Sequence, residues 1–333
     1  MSTFGLVVII VCIALIFDFV NGFHDAANSV ATVVATRVLS RLQAVCLAAF
    51  FNFAAAFFLG TGVASTMGKG FVDMKVITPY VILAGLIGAV AWNIFTWYIG
   101  LPISSSHSLI GGYAGAAVAK AGLKGLIVGK WPSTLAFIVL APLIGLILGY
   151  VLMVAVYWLF HRYTPRMMDR YFRHAQIFSA SLLSCAHGTN DAQKTMGIIT
   201  AVLVAADFQR GFRVPDWVIL ASATAMGLGT LSGGWRVVRT VGTRLTRLKP
   251  RSGFCAETGS AISILVATWL ALPVSTTHAV AGAIAGVGSI QRVRAVRWNV
   301  AGNIVMAWIL TIPAAALVAA IAFFCIHLLV PSA

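Results

Sequence analysis

The sequence predicts an all-α polytopic membrane protein made of two inverted-topology repeats with broken or re-entrant helices, about 10–12 membrane segments in all. Three observations carry this. Of 333 residues, 60% are hydrophobic and only 9% charged, where a soluble domain carries about 25% charged residues. Apolar stretches of spanning length, about 20 residues each, fill the chain and leave no soluble domain over. Two polar motifs of the first half return, in the same order, in the second.

The first apolar segment covers 4–39. No Lys or Arg precedes it and no small-residue cleavage site is evident, so it reads as a span and not as a signal peptide. NGFHDAAN (21–28) interrupts it, and Asp25 there brings Asn21, His24 and Asn28 within two helical turns. An aspartate near the centre of a span costs roughly 2.5–3.5 kcal/mol on insertion scales. Gly22 lets the backbone break, and a broken helix is the expectation. Spans at 42–62 and 76–100 follow, then an apolar stretch after LPISSSH (101–107) that either crosses or re-enters, then 134–160. The second half repeats the series with 175–206, which contains HGTNDAQK (187–194), then 217–234, 254–271, the stretch after LPVSTTH (272–278), and 299–329. The expected division is a first repeat over 1–160, a short basic cytoplasmic linker over 161–175, and a second repeat over 176–333.

Charge placement sets the expected orientation. Placing both termini outside puts 15 basic residues in the cytoplasm: Arg37, Arg41, four in the linker, six between Arg236 and Arg251, and Arg292, Arg294 and Arg297. Seven fall outside (Lys69, Lys75, Lys120, Lys124, Lys130, Arg210 and Arg213), and Lys194 lies within the membrane. This follows the positive-inside rule for a cytoplasmic (inner) membrane protein. The net charge of +15 is therefore a topology signal with weak attraction to anionic lipid, not a nucleic-acid footprint. Five scattered cysteines form no CxxC pair and imply neither disulfides nor zinc. The internal repeat is collinear. The Asp cluster recurs after 166 residues, and LPISSSHSLIGGYAG recurs after 171 as LPVSTTHAVAGAIAG, with seven of fifteen positions identical and two Ser-for-Thr exchanges. An odd number of crossings per half inverts the halves, which is the design of secondary transporters.

The Pro-Ser motifs suit an oxyanion. Pro102 and Pro273 end one helix or begin the next. Ser104, Ser105 and Ser106, and Ser275, Thr276 and Thr277, then fall at helix starts, where free N–H groups and the positive dipole end favour an anion. His107 and His278 are further donors or proton acceptors. The plainer alternative is that all of these hydroxyls cap local backbone. The Asp clusters have the complementary chemistry. Asp25 and Asn28, and Asn190, Asp191 and Gln193 beside Lys194, offer hard oxygen ligands for Na+ or a carboxylate for a proton. Here the alternative is a buried acid paired for structure, Asp191 with Lys194 or Asp25 with His24. Glu257 divides between coupling and structure, and Asp18 is another acid in an apolar context. Asn52 and Asn93 read as interhelical hydrogen-bonding residues. No metal or cofactor is assigned.

GFHDAANSVAT, AHGTNDAQKTMGII, LPISSSHSLIGG, GGWRVVRTVG and LPVSTTHAVAG, in this order over essentially the whole chain, resemble the PiT family of inorganic phosphate transporters. The resemblance implies symport of phosphate with Na+ or H+ by alternating access, the Asp/Asn motifs binding coupling cations and the Ser/Thr motifs binding phosphate. The chain departs from the family's pattern in its short linker and in Lys194, which stands where the first motif has Asn28. The NDAQK form resembles bacterial members expected to couple to protons. The leading expectation is thus a phosphate symporter driven by H+ rather than Na+, and not an enzyme. A sulfate or related oxyanion permease is the alternative within the class, and a channel lacks the need for paired acids. An intramembrane hydrolase using Ser105, His107 and Asp25 is disfavoured. No GxSxG or HExxH motif is present, and Ser at i with His at i+2 do not share a helical face. The sequence does not distinguish free phosphate from its divalent-metal complex, nor a monomer from a homodimer.

Overall fold

The computed structural model describes residues 2–58, 60–290 and 292–331. The chain ends and the side chain of Lys130, which the charge argument used, lie outside the described set. Among the described residues there are twelve α-helices. The first half gives α1 (Thr3–Ala35), α2 (Arg41–Ala55), α3 (Gly62–Lys69), α4 (Pro79–Ile99), α5 (Ser105–Ala121) and α6 (Trp131–Leu159). The second gives α7 (Pro165–Ala205), α8 (Asp216–Ser232), α9 (Trp235–Arg239, continued by a π turn to Arg244), α10 (Pro250–Trp269), α11 (Thr276–Ser289) and α12 (Trp298–Leu329). The fold is all-α. Among these residues β pairing is confined to an isolated Val72–Leu126 bridge.

The order of elements repeats. α1 corresponds to α7, α2 with α3 to α8 with α9, α4 to α10, α5 to α11 and α6 to α12. Smaller features keep the same spacing: α6 and α12 each carry an internal proline, Pro142 and Pro313. The turns after α4 and α10 each pass through the left-handed region, at Gly100 (φ 73°) and Ala271 (φ 55°). The halves interlock, with α5 packed on α12 and α11 on α6.

Inversion is visible along α1 and α7. Asp18 of α1 faces Thr195 of α7, Asp25 lies beside Asp191, and Thr36 bonds Gln176. As α1 ascends in number, α7 descends, so the first helices of the two halves run antiparallel.

α1, α4, α6 and α12 are each long and apolar enough to cross a membrane, and α8 joins α9 across a 59° bend, the geometry of a broken span or a re-entrant loop. The remaining helices are short or carry polar faces buried among the long ones. The outer faces are greasy: Leu143, Ile147 and Val151 on α6, and Leu317, Ile321 and Phe324 on α12, are exposed. Gly145, Gly149, Ala315 and Ala319 of the same two helices face inward. An exposed apolar belt of this extent is a lipid-facing surface.

One expectation is corrected. The helix is not broken at Asp25: α1 continues for 33 residues, and its counterpart α7 continues for 41. Asp25 and the amide nitrogens of Asn28 and Asn190 find partners across the helix contacts without any unwinding. Gly22 instead permits close approach, since a Cβ there would stand 2.3 Å from the Met226 carbonyl oxygen of α8. Its counterpart Gly188 meets the Asn52 carbonyl of α2 in the same way, at 2.4 Å. Most of the expected short basic linker, 161–175, is helical. α7 begins at Pro165, with Thr164 as its N-cap bonding the Met167 amide, so the basic residues from Arg166 onward ride on its first turns.

Candidate functional site

Both polar motifs of both halves meet at one buried place. α5 and α11 start there, each after a loop set by its Pro-Ser sequence. Ser104 Oγ accepts from the His107 amide and Ser275 Oγ from the His278 amide, both at 3.2 Å. These two hydroxyls are N-caps, as the plainer alternative held. The residues after them face inward. Ser105 Oγ donates to Asp25 Oδ2 at 3.1 Å, and the equivalent Thr276 Oγ1 lies 3.4 Å from Asp191 Oδ2. Thr277 Oγ1 stands 3.5 Å from Asp25 Oδ1. The amide of Asn28 donates to Thr277 at 2.9 Å and to Thr276 at 3.2 Å.

Lys194 holds the place that Asn28 holds in the other half. Its Nζ lies 2.5 Å from Asp191 Oδ1, donates to the Val274 carbonyl at 3.0 Å, and bonds Ser106 Oγ. Ser106 is the counterpart of Thr277, so each motif of one half reaches across to the hydroxyls of the other. All of these side chains are buried. Ligand atoms of Asp25, His187 and Asp191 lie within 4.8 Å of one another. The two acid clusters therefore form one centre.

The histidines nearest the acids were not singled out by sequence as site residues. His24 Nδ1 lies 3.0 Å from Asp25 Oδ1, with Thr96 Oγ1 3.4 Å from its other nitrogen. His187 Nε2 lies 3.3 Å from Asp191 Oδ2, and its Nδ1 lies 3.3 Å from Asn52 Oδ1. The available signal was spacing: His187 stands four residues before Asp191, one turn away on the same face.

Other candidates sit elsewhere. Gln193 Oε1 accepts from the amides of Val63 and Ala64 at 2.9 and 3.3 Å, capping the start of α3. Asn190 uses its amide nitrogen on Thr268 and the Leu272 carbonyl, holding the end of α10. His107 and His278 pack edge-to-face at 5.0 Å, and His278 stacks on Trp308 at 3.8 Å. Glu257 accepts from Thr32 and Ser179 at 2.5 Å each and from Gln176 at 2.8 Å. It ties α10 to α1 and α7 seven residues, about 10 Å of helix rise, beyond Asp25.

The charges decide what the centre can hold. Asp25 and Asp191 bring two negative charges and Lys194 one positive, while the hydroxyls and the two helix starts add neutral donors. An anion entering this net negative, buried place is repelled unless positive charge enters with it.

A model of the phosphate transporter family matches residues 21–319. The chain belongs to this family. It is 53% identical over 322 residues to a "Probable low-affinity inorganic phosphate transporter" of Rhizobium meliloti, covering 96% of each chain. A Bacillus subtilis protein of the same description is 43% identical over 327 residues, covering 97% of this chain and 98% of its own. A solved structure, "The sodium-dependent phosphate transporter", superposes with a TM-score of 0.90 at 26% identity, over 97% of this chain and 99% of that one. A family member of this kind is a multi-pass membrane transporter, and the hydrolase alternative is set aside.

Proposed function

We propose that the chain is a secondary symporter moving inorganic phosphate across the cytoplasmic membrane by alternating access, with Asp25 carrying the driving proton. One observation carries the reading: Ser105, Ser106, Thr276 and Thr277, at two opposed helix starts, converge on two carboxylates from the inverted helices α1 and α7. Phosphate takes the hydroxyls and the free first-turn amides, and the charge balance requires a cation to come with it. The names of the relatives support phosphate over sulfate.

The proton is favoured over Na+ at Asp25 because of its neighbours. His24 touches it, and imidazole is a proton exchanger and a poor ligand for a hard alkali cation. At Asp191 the ammonium of Lys194 already supplies the positive charge. The other titratable groups facing the pair are His187 of α7, Asp18 of α1 and His107 of α5. Orientation follows the basic residues, with both termini outside and Arg166 cytoplasmic. Fast modification of a single cysteine near position 166 by an impermeant reagent in intact cells would reverse it.

Reconstitution tests the transport reading. Proteoliposomes carrying the protein accumulate labelled phosphate, and not labelled sulfate, when an inward proton gradient is imposed. Accumulation under a Na+ gradient at constant pH, with no response to a proton gradient, would overturn the proton assignment. Accumulation of sulfate in preference to phosphate would overturn the substrate.

A further inference from the structure

A pocket of about 530 Å³ lies where the segment entering α10, the end of α11 and the loop before α12 meet. Arg247, Lys249 and Arg251 line it from the first of these and Arg294 and Arg297 from the last, and among the described residues no acid lines it. Arg251 is buried and bonds Asp169 of α7 at 2.7 Å through one guanidinium nitrogen, while its Nε has no hydrogen-bond partner. The other four side chains are exposed, and among the described residues none of them forms an ion pair. The amides of Arg251 and Ser252, in the first turn of α10, have no acceptor within the helix. Five cations held around one cavity repel one another, and an anion between them relieves that repulsion.

An apolar groove of about 300 Å³ adjoins this pocket between α6, α11 and α12. Leu245 lines the groove and Thr246 the pocket, and likewise Trp298 lines the groove and Arg297 the pocket. The Arg297 amide donates to the Leu245 carbonyl at 3.0 Å, which stitches the two loops together where the cavities meet. Along α12 the groove reaches from Trp298 to Ile309, about eleven residues or roughly 16 Å of helix rise. That is about half of a hydrocarbon core of roughly 30 Å, the depth of one leaflet. Trp298, exposed at the junction, has the position of an interfacial aromatic residue.

We infer that the pocket and the groove together bind one anionic phospholipid, its phosphodiester among the basic side chains and an acyl chain along α12. Basic pockets between membrane helices are suited to such headgroups. A zwitterionic lipid brings an ammonium group that the five cations repel, and a free anion leaves the groove unused. α11 ends at this pocket and starts at Thr276 in the polar centre, so the bound lipid braces the helix that presents Thr276 and Thr277. The choice of leaflet rests on the orientation proposed above, which puts both basic loops in the cytoplasm. Lipid binding itself rests only on the membrane-spanning fold.

Binding of fluorescently labelled phosphatidylglycerol to the purified full chain in detergent tests this, beside phosphatidylcholine with the same acyl chains and label. Phosphatidylglycerol is expected to bind saturably and to raise the melting temperature, as a ligand selective for the folded state must, and phosphatidylcholine to do neither. Arg247→Gln combined with Arg297→Gln changes two exposed side chains and is expected to weaken binding about twenty-fold, roughly five-fold per basic side chain. Val305→Trp fills the groove from a half-exposed position, leaves every cation in place, and is expected to weaken binding as well. Equal binding of the two lipids overturns the inference, as does parent-like binding by the folded double variant. Displacement by inorganic phosphate as effective as by unlabelled phosphatidylglycerol would mark a free-anion pocket and overturn the lipid. Parent-like lipid binding by Val305→Trp, with a dimer lost in light scattering, would assign the groove to a second copy and overturn it too. None of these readouts involves transport, so failure of the transport reading leaves the site standing.

Discussion

Lys194 Nζ lies 2.5 Å from Asp191 Oδ1, three residues before it on α7, and both side chains are buried. In the first half the same position is Asn28, whose amide reaches Thr276 and Thr277. The two motifs are thus geometrically equivalent and chemically different. An ammonium fixed against a carboxylate supplies internally the charge that a bound cation would otherwise bring.

Replacing Lys194 with Asn makes the two motifs alike. Lys194→Asn is expected to let a Na+ gradient alone drive phosphate accumulation in proteoliposomes, where the proposed function expects none in the parent. The freed carboxylate, still facing Thr276, becomes an oxygen site with a neutral neighbour. If the variant folds, binds phosphate and remains indifferent to a Na+ gradient, Lys194 does not stand in for the cation.

Much of this centre was legible because burying polar residues in a membrane is costly. Asp25, Asp191 and the two Pro-Ser motifs stand out against apolar surroundings, and their recurrence gave the repeat. What the sequence could not rank was the use made of each residue. Gly22 serves equally as a hinge or as a contact point, and only the position of Met226 decides between them. Ser104 and Ser105 are chemically identical, yet one caps a helix and the other faces Asp25, a difference of one residue in helix phase. Gln193 and Asn190 carry the ligand chemistry expected of them, but bond α3 and the end of α10. That the two Asp clusters share one centre depends on how α1 crosses α7, which no local pattern encodes.

Ser105 and Thr276 occupy equivalent positions on the two opposed helix starts. Ser105→Ala and Thr276→Val each remove one neutral donor, worth about 0.5–1.5 kcal/mol. Each should weaken phosphate binding by roughly three- to tenfold, by the same conversion. The double variant should be weaker than either single one, since both hydroxyls face one ligand. Equilibrium binding of labelled phosphate to purified protein reads this directly. Parent-like affinity in the double variant would remove these hydroxyls from the site.

The close approaches at Gly22 and Gly188 predict a stability defect and not a gating defect. A methyl group on either would stand 2.3–2.4 Å from a backbone carbonyl oxygen of the packed helix. Backbone cannot rotate aside as a side chain does, so α1 must move from α8, or α7 from α2. Overpacking of this kind costs about 1–3 kcal/mol or more. Gly22→Ala and Gly188→Ala should each lower the melting temperature in detergent by several degrees, with a larger drop when combined. A parent-like melting curve for Gly22→Ala would mean that the helices separate at little cost, and the hinge reading would return.

In the proposed function Asp25 is the place where proton and phosphate are linked. Its carboxylate touches His24, accepts from Ser105, and shares the centre with Asp191, His187 and Lys194. Asn in its place has the shape of the protonated acid without a proton to release. In Asp25→Asn the phosphate site is therefore held in its loaded charge state whatever the pH. Phosphate should still bind and exchange across the membrane, because the anion no longer meets the second negative charge. Accumulation against a gradient should be lost, because nothing ties the return of the carrier to proton release. Counterflow of labelled phosphate should persist and become less dependent on pH than in the parent, while uptake driven by a proton gradient falls to background. An Asp25→Asn protein that still concentrates phosphate under a proton gradient would move the driving site elsewhere, with Glu257, bonded to Thr32 further along α1, the next acid to test.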